Sequence, residues 1–387
     1  MKKLAWLGLP LALGLVACPP PGVSADADKD NIPDSAEVPG SSYKGIDVYS
    51  MGARVGQRDI FLEIDNMTSA EAKLNPQRAA LDKFVAAFAA KKIALHIDVG
   101  DAFSPNFDPA NYNLGNAQRL LPYSQSISLT PKIGFASVKE LKSQNFAANR
   151  NGVFYYMVLG SSQNASGLAG SSGRAEIIGD DSMVTFGGWN LNTNTTEKTT
   201  QLNNIMASTM MHEFGHNLGL RHGGDENLNY KPNYVSIMNY MYQLDCIGPT
   251  SGTGIADRFF YSLYGGTKYP ESGLVNNART SACKIDFSDG SSSNLDENSL
   301  NENAGMGRGA GVVDWNDDET TQTALSLNLN PVSLLGDGDD MNSSLQDHDD
   351  WSNIQIGFPQ GGAHLLATPE LSDEEAPSAE YLKALGQ

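Results

Sequence analysis

Met211-His212-Glu213-Phe214-Gly215-His216-Asn217-Leu218-Gly219-Leu220-Arg221-His222 is the stretch from which the rest of the chain is read. It follows H-E-x-x-H-x-x-G-x-x-H, and each fixed position has a physical reason. Side chains four apart on an α-helix share a face, so His212 and His216 present two imidazoles to one cation. Zinc takes nitrogen donors at roughly 2.0–2.1 Å in a tetrahedral shell, so a third protein ligand is expected. Gly219 tolerates positive φ, ends the helix and turns the chain back, which lets His222 reach the same ion from outside the helix. Three histidines leave a fourth position to water, the pattern of a catalytic zinc rather than a structural one. Glu213 neighbours the first ligand without sharing its face and is placed as the general base.

A second element follows downstream: Ser236-Ile237-Met238-Asn239-Tyr240, after a connection rich in Gly and Asn. The long histidine motif plus this Met-containing turn resembles the metzincin metallopeptidases. The resemblance implies a zinc endopeptidase acting on proteins or peptides, with Met238 as an apolar floor beneath the metal. Tyr240 resembles the tyrosine that astacins and serralysins place beside zinc, where it stabilises the oxyanion. The residue after His222 is Gly223, where astacins carry Glu and serralysins Pro, so the chain fits neither subfamily. The implied fold is mixed α/β (α+β). A twisted mixed sheet carries the active-site helix above a smaller, irregular C-terminal subdomain.

The chain has 387 residues, is 40% hydrophobic and 18% charged, and carries a formal net charge of −19. Its length allows a sizeable core, and its acidity disfavours nucleic acid and anionic membrane surfaces as partners. A monomer is expected. Lys2 and Lys3 precede an apolar run from Leu4 to Ala17 that is too short for a stable span. Leu15-Val16-Ala17-Cys18 resembles the bacterial lipobox, which implies removal of residues 1–17, lipidation of Cys18 and a place at the cell envelope. An ordinary secretory signal is the alternative. The other two of the 3 cysteines, Cys246 and Cys283, are either a disulfide or two separate thiols.

Residues 18–47 read as a tether that carries an acidic loop. Asp26, Asp28, Asp30, Asp34 and Glu37 fall at positions 1, 3, 5, 9 and 12 of a twelve-residue calcium-loop spacing. Asn31 stands where such loops place glycine, and Asn reaches positive φ more readily than most residues. The loop resembles the calcium repeats of thrombospondin type 3 and dockerin modules, so Ca²⁺ is expected beside Zn²⁺.

The catalytic domain is expected over 48–360, with its N-terminal subdomain ending near 222, followed by a flexible tail over 361–387. Asp59–Ile64 and Ile93–Val99 read as parallel strands joined by a helix that Pro76 opens. Phe154–Leu159 and Met183–Phe186 read as further strands. His96 is expected in the core. By the metzincin resemblance, Met183–Phe186 is expected as the sheet edge that takes an extended substrate, with a simple closing hairpin as the alternative. The active-site helix is expected from about Glu197 or Thr199 to Leu218, with another helix over Ala256–Leu263. Acidic runs at 314–318, 337–340 and 347–350 have the look of calcium sites but fit surface acidity equally well. An alternative function is a calcium-dependent surface binding lipoprotein whose zinc site does not turn over.

Overall fold

The computed structural model describes residues 25–115, 120–248, 254–264, 273–308, 311–335, 338–358 and 369–372. Strand β1 (Arg58–Met67), helix α1 (Arg78–Ala89) and strand β2 (Ile93–Asp98) form the expected β-α-β unit, with β1 and β2 parallel from Arg58↔Ile93 to Glu63↔Asp98. Strand β3 (Phe154–Gly160) lies parallel to β1 on its other side, and β5 (Asp181–Thr185) lies parallel to β3. Between them in sequence comes β4 (Gly173–Ile177), antiparallel to β5. Strand β6 (Glu370–Leu371) pairs antiparallel with β4, so the sheet runs β6-β4-β5-β3-β1-β2, and Leu120–Leu121 pairs with the end of β1.

Alternation explains how this sheet is covered on both faces. Ile60, Leu62 and Ile64 face the main core with Leu81, Phe84 and Phe88 of α1. Phe61 points the other way, into a cluster with Ile32, Val48 and Phe154. Helix α2 (Thr196–Asn217) lies beneath the sheet and is buried almost throughout its second half. Its Thr195 caps the first turn, accepting from the Lys198 N–H at 3.1 Å. Phe214 on α2 meets Phe84, Phe88 and Tyr155 with ring centroids 5.0–5.9 Å apart, fixing the helix to both α1 and the sheet.

Two corrections concern the sheet edge. Met183–Phe186 is not the edge, because β5 is interior, hydrogen-bonded to β3 and β4. Outside β5 lies β4, whose Arg174-Ala175-Glu176-Ile177 alternates polar and apolar residues and whose outer side carries only the two-residue β6. The tail also differs from expectation, since Glu370–Leu371 is a strand paired on β4. Residues 359–368 and 373–387, with His364, lie outside the described residues.

After Met238 the chain forms a short helix α3 (Tyr240–Gln243) and then α4 (Gly254–Tyr264), where a helix was expected. Cys246 and Cys283 are joined as a disulfide, with Cα atoms 5.4 Å apart. Among the described residues, no helix is long and apolar enough to cross a membrane.

Candidate metal centre

Helix α2 ends where the motif requires. Its last residue is Asn217, Leu218 caps it, and Gly219 takes φ 99°. The Gly219 N–H bonds the His216 carbonyl at 2.9 Å, and the Leu220 N–H bonds the Gly215 carbonyl at 2.9 Å. The reversed chain then makes a tight turn closed by Arg221 and Gly224, which exchange backbone hydrogen bonds of 2.7 and 3.0 Å. Buried Lys231 ties this turn down through Nζ to the Gly223 carbonyl at 2.8 Å. His222 is carried on that turn and held toward the helix.

The three imidazoles converge as the spacing implied. Each offers a ring nitrogen within 4.8 Å of the others, and all three rings are buried. Ring centroids lie 4.7 Å apart for His212–His216, 5.0 Å for His216–His222 and 5.4 Å for His212–His222. His212 Nδ1 donates to the Ile237 carbonyl at 2.7 Å and His216 Nδ1 to the Leu220 carbonyl at 2.7 Å. A carbonyl can only accept, so the proton of each neutral ring sits on Nδ1 and the Nε2 lone pairs face inward. Those two Nε2 atoms are 3.2 Å apart. Two oriented imidazoles with a third converging on them form a nitrogen donor set that fits zinc.

The Met-turn does more than lie beneath the ion. Its Ile237 carbonyl orients His212, and Met238 packs where a Cβ on Gly215 would stand. Asn239 closes the turn and caps α3, accepting from the Met241 N–H at 3.0 Å. Ser236 Oγ donates to Asp350 at 2.6 Å, and Tyr234 Oη donates to the same carboxylate at 2.8 Å. Burial pushes Asp350 up to about 7 against the pull of these donors. Asp350 of the run 347–350 is therefore an anchor for the Met-turn. Asp314 and Asp318 likewise accept from their own loop's backbone, and Asp337 lies outside the described residues.

Glu213 is fully buried on α2, and a Cβ on Gly173 at the start of β4 would overlap its carboxylate. Strand β4 thus approaches the Glu213 carboxylate through a glycine, which sequence spacing gave no reason to single out. Tyr240 is half-buried with its ring centroid 4.4 Å from that of His222 and 5.9 Å from that of His212.

The N-terminal acidic loop lies against the sheet. Asp30 accepts from the Ile32 and Asp59 N–H groups, both at 2.7 Å, and Asn31 Nδ2 donates to the Ile356 carbonyl at 2.9 Å. Asn31 has φ 72°, as its glycine-like position required. Asp26, Asp28 and Asp30 bring oxygens within 4.8 Å of one another, and so do Asp30, Glu37 and Asp59. Asp34 is outside both groups and accepts from the Ala27 N–H at 2.8 Å. Asp59 was read only as strand; its carboxylate also takes His96 Nε2 at 2.6 Å, and the His96 ring stacks on Phe61. Burial raises Asp30 to about 7 and, with Asp30 and Asp28 nearby, Glu37 to about 9. A third cluster, Glu176, Asp180 and Asp181, is neutralised by Lys139 and Lys142, with Lys139–Asp181 and Lys142–Asp180 both at 2.7 Å. Cys18 lies outside the described residues.

Residues 67–223 match the family described as metallo-peptidase family M12B, reprolysin-like. Over that span the chain is similar to reprolysin-like metallopeptidases, and the span includes a histidine triad able to bind a metal. The chain has no match among curated proteins or among solved structures.

Proposed function

We propose that this protein is a zinc-dependent endopeptidase that hydrolyses peptide bonds of proteins at the cell envelope. The observation that carries the proposal is the convergence of three buried imidazoles, two on one helical face and one on the Gly219 bend, inside the segment that matches the reprolysin-like family. Zinc held by His212, His216 and His222 supplies a Lewis acid and acidifies water toward a pKa of roughly 7. Glu213 takes the proton of the attacking water and returns it to the leaving amine. Its burial, with Gly173 pressed against it, keeps the carboxylate in one place. Tyr240 supports the developing oxyanion, a role that rests on the astacin and serralysin resemblance and on the nearness of its ring to His222. The β4 edge lines the cleft beside the triad and takes an extended substrate by backbone pairing.

Two further parts belong to the proposal. The lipobox at 15–18 supports export and lipidation at Cys18. Asp26, Asp28, Asp30 and Glu37, joined by Asp59, form a calcium site. Hard oxygen donors in this number suit calcium, and neither oxygen of buried Glu37 meets a hydrogen-bond donor.

Glu213→Ala should retain zinc while casein hydrolysis falls at least about 10²-fold. A chelator should abolish wild-type hydrolysis. Casein left intact by the zinc-loaded wild type would favour the binding-lipoprotein alternative, and cleavage undiminished in Glu213→Ala would remove Glu213 as the base.

A further inference from the structure

An exposed strand edge beside a metal triad is a ready template for any extended chain. In this protein the edge is already taken. Glu370 and Leu371 pair with Ile177 and Glu176, and the Ser372 N–H bonds the Ala175 carbonyl at 2.9 Å. Ser372 Oγ accepts from the Ala175 N–H at 3.0 Å, and Arg174 Nε donates to the Ser372 carbonyl at 3.1 Å. Glu370 meets Arg221 in a two-pronged ion pair, with Arg221 Nη1 to Oε1 at 2.7 Å. Arg221 immediately precedes the ligand His222, so the same turn carries a metal ligand and the latch for the tail.

Position and direction make this contact an obstruction. Ile177, His216, His222, Asn227 and residues 370–372 together enclose a cavity of about 40 Å³. That volume holds an ion or a few waters, at about 10–15 Å³ each, and no peptide side chain of ordinary size. The antiparallel register carries the segment from Ile177 toward Ala175, in the direction of Gly173 and the Glu213 carboxylate. An extended substrate that used the β4 edge would need the hydrogen bonds that Ser372 now makes.

We propose that the Glu370–Ser372 segment is a built-in competitor that closes the substrate edge, latched by Arg221, so that the folded enzyme is held back by its own chain. The proposal rests on the peptidase reading above. Two paired residues and a half-exposed ion pair bind weakly by themselves. Tethering compensates, because it presents the segment at an effective concentration on the order of millimolar, the upper range of ordinary KM values. The segment therefore raises the apparent KM and leaves kcat unchanged, and a tight substrate displaces it.

The test uses the full chain carrying Glu370→Lys and Ser372→Pro. The first reverses the charge that Arg221 meets, and the second removes both the N–H and the Oγ that pair with Ala175. Ser372 is buried whereas Glu370 is exposed, so Glu370→Lys alone serves as the milder variant. The probe is a fluorescent peptide of the protein's own residues 367–375, followed by anisotropy, alongside KM and kcat for a casein-derived peptide. The double variant should bind the probe about tenfold more tightly than wild type, and its KM should fall by a similar factor at constant kcat, a change worth about 1.4 kcal/mol. Equal probe binding and equal KM in the two proteins would overturn the proposal whether or not they hydrolyse peptide. Tighter probe binding by the variant, with no hydrolysis by either protein, would leave the closed edge standing and sink the peptidase reading.

Discussion

At the scale of single residues, the site combines parts that are local in sequence with one that is not. His212, His216, Gly219 and His222 were legible because helical periodicity and a glycine C-cap are short-range rules. Gly173 was not, because its reason is a contact with a residue forty positions away on another element. That contact makes a sharp prediction. Gly173→Ala suits the strand backbone, yet its methyl group must displace the Glu213 carboxylate. Displacement of about 1 Å costs on the order of 10²-fold in kcat/KM. Zinc content should stay at wild-type level, since no histidine moves. Wild-type kcat/KM in Gly173→Ala would mean that Glu213 is not positioned by the edge strand.

Among the elements, the β-α-β unit and the active-site helix were read within a few residues of where they lie, because their apolar patterns are long. The edge strand was assigned one strand too late. Glu176 and Arg174 give β4 a polar look, and only the sheet order shows that it lies outside β5. The acidic loop was recognised by its spacing, whereas its fifth carboxylate, Asp59, came from β1 and could be found only in three dimensions. Its energetics have a definite pH signature. Asp30 and Glu37 are raised to about 7 and about 9, so without calcium they favour the folded state when protonated. That contribution is complete below about pH 4 and is lost as pH rises through 7 and then 9. Calcium removes the penalty by matching the carboxylate charge, and a hundredfold excess over Kd stabilises by about 2.7 kcal/mol. The thermal midpoint should therefore fall between pH 5 and 9 in chelator and hold several degrees higher at pH 8 in calcium. Superimposable curves with and without calcium would dismiss the site, and Glu37→Gln should remove the calcium response.

Over the whole molecule, the centre depends on segments far apart in the chain. Asp350 reaches back to Tyr234 and Ser236, placing the Ile237 carbonyl on His212, and the Cys246–Cys283 disulfide pins the chain that follows. The acidic runs after residue 300 have no periodicity, so sequence spacing could not tell an anchor from a cation site. Glu370–Leu371 likewise pairs with β4, a partner nearly two hundred residues earlier. What unites these long-range supports is one geometry: three buried imidazoles with a ring nitrogen each within 4.8 Å of the others, close enough to share a single ion. Zinc-edge X-ray absorption on the purified protein tests it most directly. The account predicts one zinc per chain with three imidazole nitrogens and one oxygen at roughly 2.0–2.1 Å, and loss of the metal in His222→Ala. A shell containing sulfur, only two imidazoles, or full zinc occupancy without His222 would contradict it.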